Sequence, residues 1–374
     1  MARVAASRGR ARASDRLGEL LGERTEANRR FFDAEAERIA LLCRELAERF
    51  VRGGRLLAVG DSPQAWSDAH HVAVEFVHPV IVGKRALPAL AVGRDELELL
   101  TGDDDATIEF EPLAINAGER CMFEPPSDDP FVRQEVCETL YHVLWELVHV
   151  FFDHLHGGTA GAGASSFLYP FLEQSDDDAL DAVVDDVRRS VLMKAEEVGR
   201  LREQTLTEGG PALAEAAAVV RETLDRGGTL FAFGNGGSAT DAMDVVADFR
   251  APPQGWPCRR AVDLGSDSAI LTALANDIGP EILFARQLIA YAGAGDVALA
   301  ISTSGGSANI LEALEEARRR DVRTIALVGY DGGRVAAEGL ADYVVVTRSD
   351  HIPRIQEAQA SAYHVLRELV ELAD

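Results

Sequence analysis

Short apolar runs alternate with amphipathic segments along the second half of the chain. TLFAFG (229–234), DVALAIS (296–302) and RTIALVG (323–329) are typical of strands that are buried on both faces. Segments with apolar residues at helical spacing, such as 307–319, separate these runs. This alternation predicts an α/β domain of the doubly wound kind, in which helices cover both faces of a parallel sheet.

The same pattern begins a second time nearer the amino terminus. An internal copy of this kind indicates a duplication, so we predict two doubly wound parallel-sheet domains in tandem. Three pairs of segments align: GGRLLAVG (53–60) with GGTLFAFG (227–234), SDAHHVAVEF (67–76) with TDAMDVVADF (240–249), and, with one inserted residue, RQEVCETLYHVLWELV (133–148) with RIQEAQASAYHVLRELV (354–370).

The first copy is the shorter one. Between Asp105 and Gln134 it has 29 residues, whereas the interval from Asp277 to Gln356 has 79. The missing residues would hold a strand, a loop and a helix. We therefore expect the first domain to be truncated.

Composition marks the boundaries of the two predicted domains. Residues 1–16 carry five arginines without an apolar segment after them, which predicts a disordered basic tail rather than a secretory signal. Residues 156–178 combine a Gly/Ala/Ser-rich stretch with an acidic run, which is typical of a linker. The two domains are then expected at 17–155 and 179–374.

Charge and cysteine usage exclude several classes of protein. The 62 acidic and 37 basic residues among 374 give a formal charge of −25, which opposes binding to nucleic acid. No apolar run reaches the ~18 residues that a membrane span needs, so we expect that the chain is not a membrane protein. The four cysteines form no CxxC pair and no zinc-finger spacing. We therefore expect neither disulfides nor a thiolate metal site, and a cytoplasmic location.

Two loops rich in glycine and serine follow predicted strands and precede predicted helices. GNGGS (234–238) offers backbone N–H groups and a helix N-terminus to an anion. STSGGS (302–307) adds hydroxyl donors at the same edge of the sheet. Together the loops predict a phosphate site. The first loop also fits G-x-G-x-x-A, with Asp263 placed to contact a ribose, so a dinucleotide site is an alternative, as are an ordinary turn and a helix cap.

The first copy contains a separate set of polar residues. His71 and Glu75 are four residues apart on a predicted helix and share one face, and Gln134 and His142 are eight apart on another helix. Two imidazoles, a carboxylate and an amide oxygen suit a zinc-type site, or an acid–base pair with a polarising group. A purely structural histidine is the alternative for His71.

The second copy keeps only half of this set. Asp244 and Asp248 stand at the positions of the first histidine and the glutamate, whereas Gln356 and His364 match the glutamine and the second histidine. For the two aspartates we expect a solvated helix face.

The residues resemble the sugar isomerase (SIS) domain family, and within it the phosphoheptose isomerases, which convert sedoheptulose 7-phosphate to an aldoheptose 7-phosphate. The resemblance covers nearly all of 190–374, and about 30–90 and 131–154 of the first copy. The segments that carry it are GNGGSATDAMD, LTALAND, FARQ, GDVALAISTSGGSANILEAL, GYDGG and RIQE in the second copy, with DAHHVAVEFVHPVIVGKRALPA and RQEVCETLYH in the first.

The resemblance implies two sets of site residues. The family's metal or catalytic set maps onto His71, Glu75, Gln134 and His142, which would hold zinc. The implied substrate-binding residues are Asn235, Gly236, Gly237, Ser238, Asn276, Asp277, Ser302, Thr303, Ser304, Ser307 and Gln356.

Each copy lacks what the other keeps. GDSPQAW (60–66) replaces the first loop in the first copy, and STSGxS is absent there. The second copy has both loops but carries Asp244 and Asp248. Because members of the family assemble as tetramers with sites at subunit interfaces, the resemblance implies a composite interdomain site. It also implies a homodimer of two-domain chains that imitates the tetramer.

The function implied by the resemblance is an aldose–ketose isomerase that forms D-glycero-D-manno-heptose 7-phosphate through an enediol. Moving a proton between C1 and C2 requires a base, an acid and a group that stabilises the enediolate. We expect Glu75 to be the base and His142 the acid. The alternative is a non-catalytic sugar-phosphate-binding regulator or adaptor of the same family, which the aspartates of the second copy favour and the intact set of the first copy opposes.

Overall fold

The computed structural model describes residues 2–80, 84–155 and 179–372. The predicted linker, 156–178, lies outside the described residues. No helix within the described ranges is long and apolar enough to cross a membrane.

The chain divides into two compact units. The N-terminal unit is Glu26–Glu197, and the C-terminal unit joins Met1–Thr25 to Val198–Asp374. These bounds differ from the predicted domains, 17–155 and 179–374, because a long helix runs past each boundary.

The first of these helices, α1, spans Ala2–Val51. A disordered tail was predicted for residues 1–16, and the helix instead begins at Ala2. Alanine and arginine make up most of that segment, both are strong helix formers, and no proline interrupts them. Basic composition therefore did not indicate disorder here.

Among its described residues, the N-terminal unit has three further helices that lie wholly within it and a five-stranded sheet. Its helices are α2 (Pro63–Val77), α3 (Arg94–Leu100) and α4 (Pro130–Leu155). Its strands are β1 (Leu56–Val59), β2 (Ala89–Val92), β3 (Ala106–Phe110), β4 (Leu113–Asn116) and β5 (Arg120–Met122). The strand order is β2-β1-β3-β4-β5.

This sheet is mixed rather than wholly parallel. Strand β1 pairs in parallel with β2 and β3, but β3 with β4 and β4 with β5 are antiparallel. Two residues connect β3 to β4 and three connect β4 to β5. A parallel crossover needs about a dozen residues or more, so such short connections produce hairpins. The sequence predicted a parallel sheet here, and the second half of the sheet departs from it.

The C-terminal unit has an all-parallel sheet with helices around it. Its strands are β6 (Leu230–Phe233), β7 (Ala261–Asp263), β8 (Val297–Ser302), β9 (Arg323–Gly329) and β10 (Tyr343–Thr347). Its helices are α5 (Ala179–Asp225, which begins in the N-terminal unit), α6 (Gly237–Arg250), α7 (Ser268–Asp277), α8 (Leu283–Tyr291), α9 (Ala308–Arg319), α10 (Gly333–Ala337) and α11 (Ile352–Leu372), with a 3-10 turn at Pro280–Ile282. The strand order is β10-β9-β8-β6-β7.

Strand β8 lies at the centre of this unit and is buried on both faces. Val297, Leu299 and Ile301 pack into the core that includes residues of α6 and α11. Ala298 and Ala300 face the opposite core, which includes residues of α8 and α9. Because alternate residues of one strand belong to different cores, the predicted α/β doubly wound class is confirmed for this unit.

The two units share a local arrangement around their first parallel strands. Asp105 accepts the N–H groups of Arg55 (2.7 Å) and Gly102 (2.9 Å). Asp296 accepts the N–H groups of Thr229 (2.8 Å) and Gly293 (2.9 Å) in the same way.

The predicted duplication stays a prediction, but these contacts change the alignment to be expected for it. Asp105 has the contacts of Asp296, immediately before β8, whereas the sequence alignment paired it with Asp277. With this alignment, the predicted first copy would be shorter in two places, before its third strand and after it.

Candidate active site

The first glycine-rich loop joins β6 to α6. A Cβ on Gly234 would lie 2.1 Å from the carbonyl oxygen of Ser238, so only glycine fits there. Gly236 has a φ of 57°, in the left-handed region that glycine adopts without strain. Helix α6 begins at Gly237, and the N–H groups of Ser238 and Ala239 donate to the main-chain oxygens of Asn235 (3.0 Å) and Gly236 (2.9 Å). The N–H groups of Gly236 and Gly237, at the very start of the helix, are therefore the ones placed to bind an anion.

The second loop joins β8 to α9. Strand β8 pairs with β6, so both loops open at the same edge of the sheet. Ser302 is buried and accepts the N–H of Gly305 through Oγ (3.1 Å). Ser304 is exposed and accepts the N–H of Gly306 (3.3 Å), and Ser307 occupies the N-cap of α9 without capping it. Ser302 therefore shapes the turn, whereas Ser304 and Ser307 are placed to donate to a ligand.

Two asparagines join the loops to each other. Asn235 Nδ2 donates to Asn309 Oδ1 (2.9 Å), and Asn309 Nδ2 donates to Asn235 Oδ1 (2.8 Å). The sequence assigned Asn235 to substrate binding and missed Asn309. The sequence signal that could have identified Asn309 is its position in the first turn of α9. This helix follows β8, the neighbour of the strand β6 that precedes Asn235.

Replacing Asn309 with aspartate should weaken sugar-phosphate affinity about tenfold. A carboxylate cannot donate to Asn235, each lost hydrogen bond is worth ~0.5–1.5 kcal/mol, and the added charge repels phosphate. Calorimetric titration with sedoheptulose 7-phosphate measures the effect. Asn235→Asp should cause a loss of similar size, because each asparagine donates one hydrogen bond to the other. Unchanged affinity in both variants would show that this pair of hydrogen bonds does not contribute to binding.

Of the other predicted binding residues, Thr303 belongs to the second loop, whereas Asn276, Asp277 and Gln356 lie on helices outside both loops. Thr303 is half-buried in the second loop. Asn276 and Asp277 are exposed at the end of α7, where Asn276 Nδ2 donates to Asp277 Oδ1 (2.8 Å). Gln356 is buried on α11.

Asp263 does not have the character of a ribose ligand. Its Oδ1 accepts the N–H of Gly265 (2.7 Å), which closes the turn after β7. Burial raises the pKa of Asp263 to about 6, so the carboxyl group ionises less readily than an exposed one. These contacts argue against the dinucleotide alternative.

In the N-terminal unit, three of the four residues in the predicted metal set converge. His71 Nε2 lies 3.3 Å from His142 Nε2 and 3.9 Å from Glu75 Oε1. All three side chains are buried. Tyr141, which the sequence analysis did not single out, lies beside them, with its hydroxyl 3.1 Å from His71 Nδ1.

The fourth member is held by a neighbour that sequence reasoning also missed. Gln134 is half-buried, and its Nε2 donates to Asp68 Oδ2 (3.4 Å). Its carbonyl oxygen is the atom that would ligate a metal ion.

The geometry of this set fits zinc. Two nitrogens bound to one tetrahedral zinc ion at ~2.0–2.1 Å lie ~3.4 Å apart. The two Nε2 atoms of His71 and His142, at 3.3 Å, have nearly that spacing. Two imidazoles and one carboxylate are donors that zinc prefers, and the bond from Tyr141 to Nδ1 of His71 orients its ring as outer-shell partners of metal ligands do.

The sheet edge of the N-terminal unit that matches the phosphate loops is occupied by ion pairs. Arg94 pairs with Asp61 (2.7 Å) and Glu109 (2.9 Å), and Arg120 also pairs with Glu109 (3.2 Å). Ser62, after β1, donates to Glu111 (2.8 Å). The arginines at this edge are thus paired with carboxylates, and the three acidic groups and two arginines give a formal charge of −1. This arrangement favours the expectation that the first copy does not hold a phosphate.

The matching residues of the second copy are buried as well. Asp244 and Asp248 are only 4% and 2% exposed, so the solvated helix face expected for them is wrong. The physical reason is that α6 packs against α11, whose Tyr363 donates to Asp244 Oδ2 (2.9 Å).

Residues 195–329, which contain both loops, match the SIS domain family. The phosphoheptose isomerase of Thermodesulfovibrio yellowstonii is 38% identical over 180 residues, which are 47% of this chain and 87% of that protein. The phosphoheptose isomerase of Pelobacter propionicus is 43% identical over 167 residues, which are 44% of this chain and 86% of that protein.

A solved structure extends the likeness in fold to both units. The C-terminal domain of glucosamine-fructose-6-phosphate aminotransferase from Francisella tularensis has a TM-score of 0.58, covers 95% of this chain and 94% of its own, and is 10% identical in sequence. At this identity the likeness concerns the fold alone.

Proposed function

The chain belongs to the phosphoheptose isomerases of the SIS family, and from this premise we propose that it is a sugar-phosphate aldose–ketose isomerase. The substrate we propose is sedoheptulose 7-phosphate, and the product is D-glycero-D-manno-heptose 7-phosphate. The observation that carries the proposal is the buried convergence of His71, Glu75 and His142.

The phosphate of the substrate would be bound by the two loops of the C-terminal unit. Ser304 and Ser307 donate through their hydroxyls, and the first turns of α6 and α9 contribute backbone N–H groups. Neutral donors and helix N-termini suffice for a phosphate, because a dianion strengthens each hydrogen bond it accepts.

Proton transfer would be carried out by the N-terminal unit. Glu75 removes the proton from one carbon of the C1–C2 pair and returns it to the other, while His142 exchanges a proton with the sugar oxygens. Burial of both side chains keeps bulk water from competing for the proton. The same residues, His71, Glu75, Gln134 and His142, would hold zinc, which would polarise the carbonyl group and stabilise the negative charge of the enediolate. Because an imidazole nitrogen bound to zinc has no proton to give, bound zinc would take the place of His142 as the group that acts on the sugar oxygens.

We further propose the composite interdomain site that the family resemblance implies. Its basis is the division of residues between the copies: the C-terminal unit has the loops, and the N-terminal unit has the family's histidines and glutamate. Variants in one set should therefore change binding, and variants in the other should change turnover.

A non-catalytic sugar-phosphate regulator of the same family is the second candidate. The aspartates that replace a histidine and a glutamate in the C-terminal unit favour it.

One assay separates the two candidates. Purified protein is incubated with sedoheptulose 7-phosphate, and the aldose product is measured before treatment with a chelator, after it, and after zinc is restored. The isomerase should produce aldose, lose activity with the chelator and regain it with zinc. Sugar-phosphate binding without product in all three samples would favour the regulator.

A further inference from the structure

The turn at the end of β9 lies against the second glycine-rich loop. Its residues, GYDGG (329–333), carry part of the family resemblance, but no site residue was assigned to them. Strand β9 pairs in parallel with β8, so the turn and the loop lie at the same edge of the sheet. A Cβ on Gly329 would lie 2.4 Å from the carbonyl oxygen of Thr303, and one on Gly333 would lie 2.3 Å from that of Ser304. The turn therefore contacts the segment that carries Ser304.

Tyr330, in this turn, has a backbone conformation that favours glycine. The N–H of Gly332 donates to the carbonyl oxygen of Gly329 (2.9 Å), which closes a four-residue turn with Tyr330 in second place. The φ of Tyr330 is 52°, whereas Asp331, in third place, has no positive φ. A positive φ at the second position alone is the pattern of a type II′ turn, in which glycine, asparagine and aspartate predominate. A bulky side chain is strained in this conformation.

Asp321, the other non-glycine residue with a positive φ (56°) in the described ranges, has a local explanation. It follows α9, where its N–H donates to the main-chain oxygen of Arg318 (3.2 Å) and the N–H of Val322 donates to that of Ala317 (3.0 Å). These bonds satisfy carbonyl groups in the last turn of the helix, and a left-handed residue is common at such an ending. Aspartate also tolerates this conformation better than tyrosine does. Tyr330 follows a strand, so a helix ending does not account for its φ.

Contacts of the Tyr330 side chain do not account for the strain either. The residue is half-buried. Within the described part of the chain, its hydroxyl has no hydrogen-bond partner and its ring has no aromatic or cationic partner. Strained residues persist where the surrounding structure fixes them, and they cluster at active sites and ligand clamps. The strained residue thus holds an unengaged phenolic O–H beside a loop that is assigned to phosphate.

We propose that Tyr330 binds the phosphate of the substrate, with its phenolic O–H donating to a phosphate oxygen next to Ser304. This contact rests on the proposed function, since it takes the phosphate site of the C-terminal unit as given. The chemistry matches that of the loops, which offer neutral O–H and N–H donors that the charge of a phosphate strengthens. The tyrosine side chain reaches further than serine and has only two χ angles, so ordering it costs little entropy.

Calorimetric titration of the full chain with sedoheptulose 7-phosphate and with inorganic phosphate tests this contact. Tyr330→Phe keeps the ring and removes only the hydrogen-bond donor, so the affinity for both ligands should fall about tenfold or more. Tyr330→Gly removes the side chain and the strain together. It should lose at least as much affinity, yet its thermal unfolding midpoint should be no lower than that of the wild type. A tyrosine with a purely structural role would give the opposite result, a lower midpoint and unchanged affinity.

Asp321→Gly is the matched control, because it relieves the same backbone conformation at the other end of β9. Its unfolding midpoint should be no lower than that of the wild type, and its affinity for both ligands should be unchanged. Unchanged affinity in Tyr330→Phe, or an equal loss in Asp321→Gly, would overturn the proposal. A loss for the sugar phosphate without one for inorganic phosphate would overturn the assignment to phosphate.

The same titrations keep this proposal separate from the proposed function. A wild-type chain that binds neither ligand would overturn the Tyr330 contact together with the phosphate site. Turnover does not enter these measurements, so failure of the isomerase assay would leave the result for Tyr330 unaffected.

Discussion

Replacing Glu75 with glutamine should lower isomerase turnover by about 10²–10⁴-fold, the range that a positioned general base contributes. Glutamine preserves the shape of the side chain and offers an amide oxygen, but it cannot accept the proton that must move between C1 and C2. Affinity for sedoheptulose 7-phosphate should change little, because the phosphate is assigned to the loops of the C-terminal unit. The measurements are kcat, ligand affinity by calorimetry, and bound zinc.

The paired control is Asp248→Asn, which makes the same chemical change at the matching position of the second copy. Its effect on turnover should be much smaller, because Asp248 is one methylene shorter than the glutamate of the family, and a base displaced by ~1 Å can cost on the order of 10²-fold. The assignment of the base fails if Asp248→Asn is the inactive variant and Glu75→Gln turns over normally. Loss of zinc from Glu75→Gln would show a ligand role as well.

Much of the C-terminal fold could be predicted because its strands are buried on both faces. Such strands read as continuous apolar runs, and each of the runs at 229–234, 296–302 and 323–329 contains an observed strand. The glycine loops could be predicted too, because their backbone geometry requires glycine. A Cβ at Gly234 would clash with Ser238, and Gly236 has a positive φ.

The N-terminal sheet shows where this reasoning stops. The interval that follows β3 was treated as a deletion from a parallel fold, yet its residues form β4 and β5 with the opposite direction. Strand direction depends on the length of the connections, which apolar runs do not reveal. Because Asp105 was aligned with Asp277 instead of Asp296, the residues after β3 were compared with the wrong interval. The short connections from β3 to β4 and from β4 to β5 were therefore not recognised.

Site residues that touch only other side chains were harder to find. Asn309 bonds to Asn235, and Tyr141 to His71, so their roles depend on contacts between elements far apart in sequence. The burial of Asp244 and Asp248 was missed for a related reason: two charged residues on a helix usually face water, and the packing of α6 on α11 overrides that tendency. Periodicity reports the face of a helix, whereas tertiary packing decides what covers it.

Replacing both Ser304 and Ser307 with alanine should weaken sugar-phosphate binding roughly 100-fold or more, because each hydrogen bond to a charged group is worth about 1.5–3 kcal/mol. Neither hydroxyl caps α9, and Ser304 accepts only a long bond from Gly306 (3.3 Å). Their loss should therefore leave the fold intact. Calorimetry with sedoheptulose 7-phosphate measures the affinity.

Ser62→Ala, at the N-cap that follows β1, is the matched control for this double variant. Ser62 contacts Glu111 and the N–H of Ala65, so its removal should lower the stability of the fold but not the affinity for the sugar phosphate. Unchanged affinity in the double variant, or an equal loss in Ser62→Ala, would place the phosphate elsewhere.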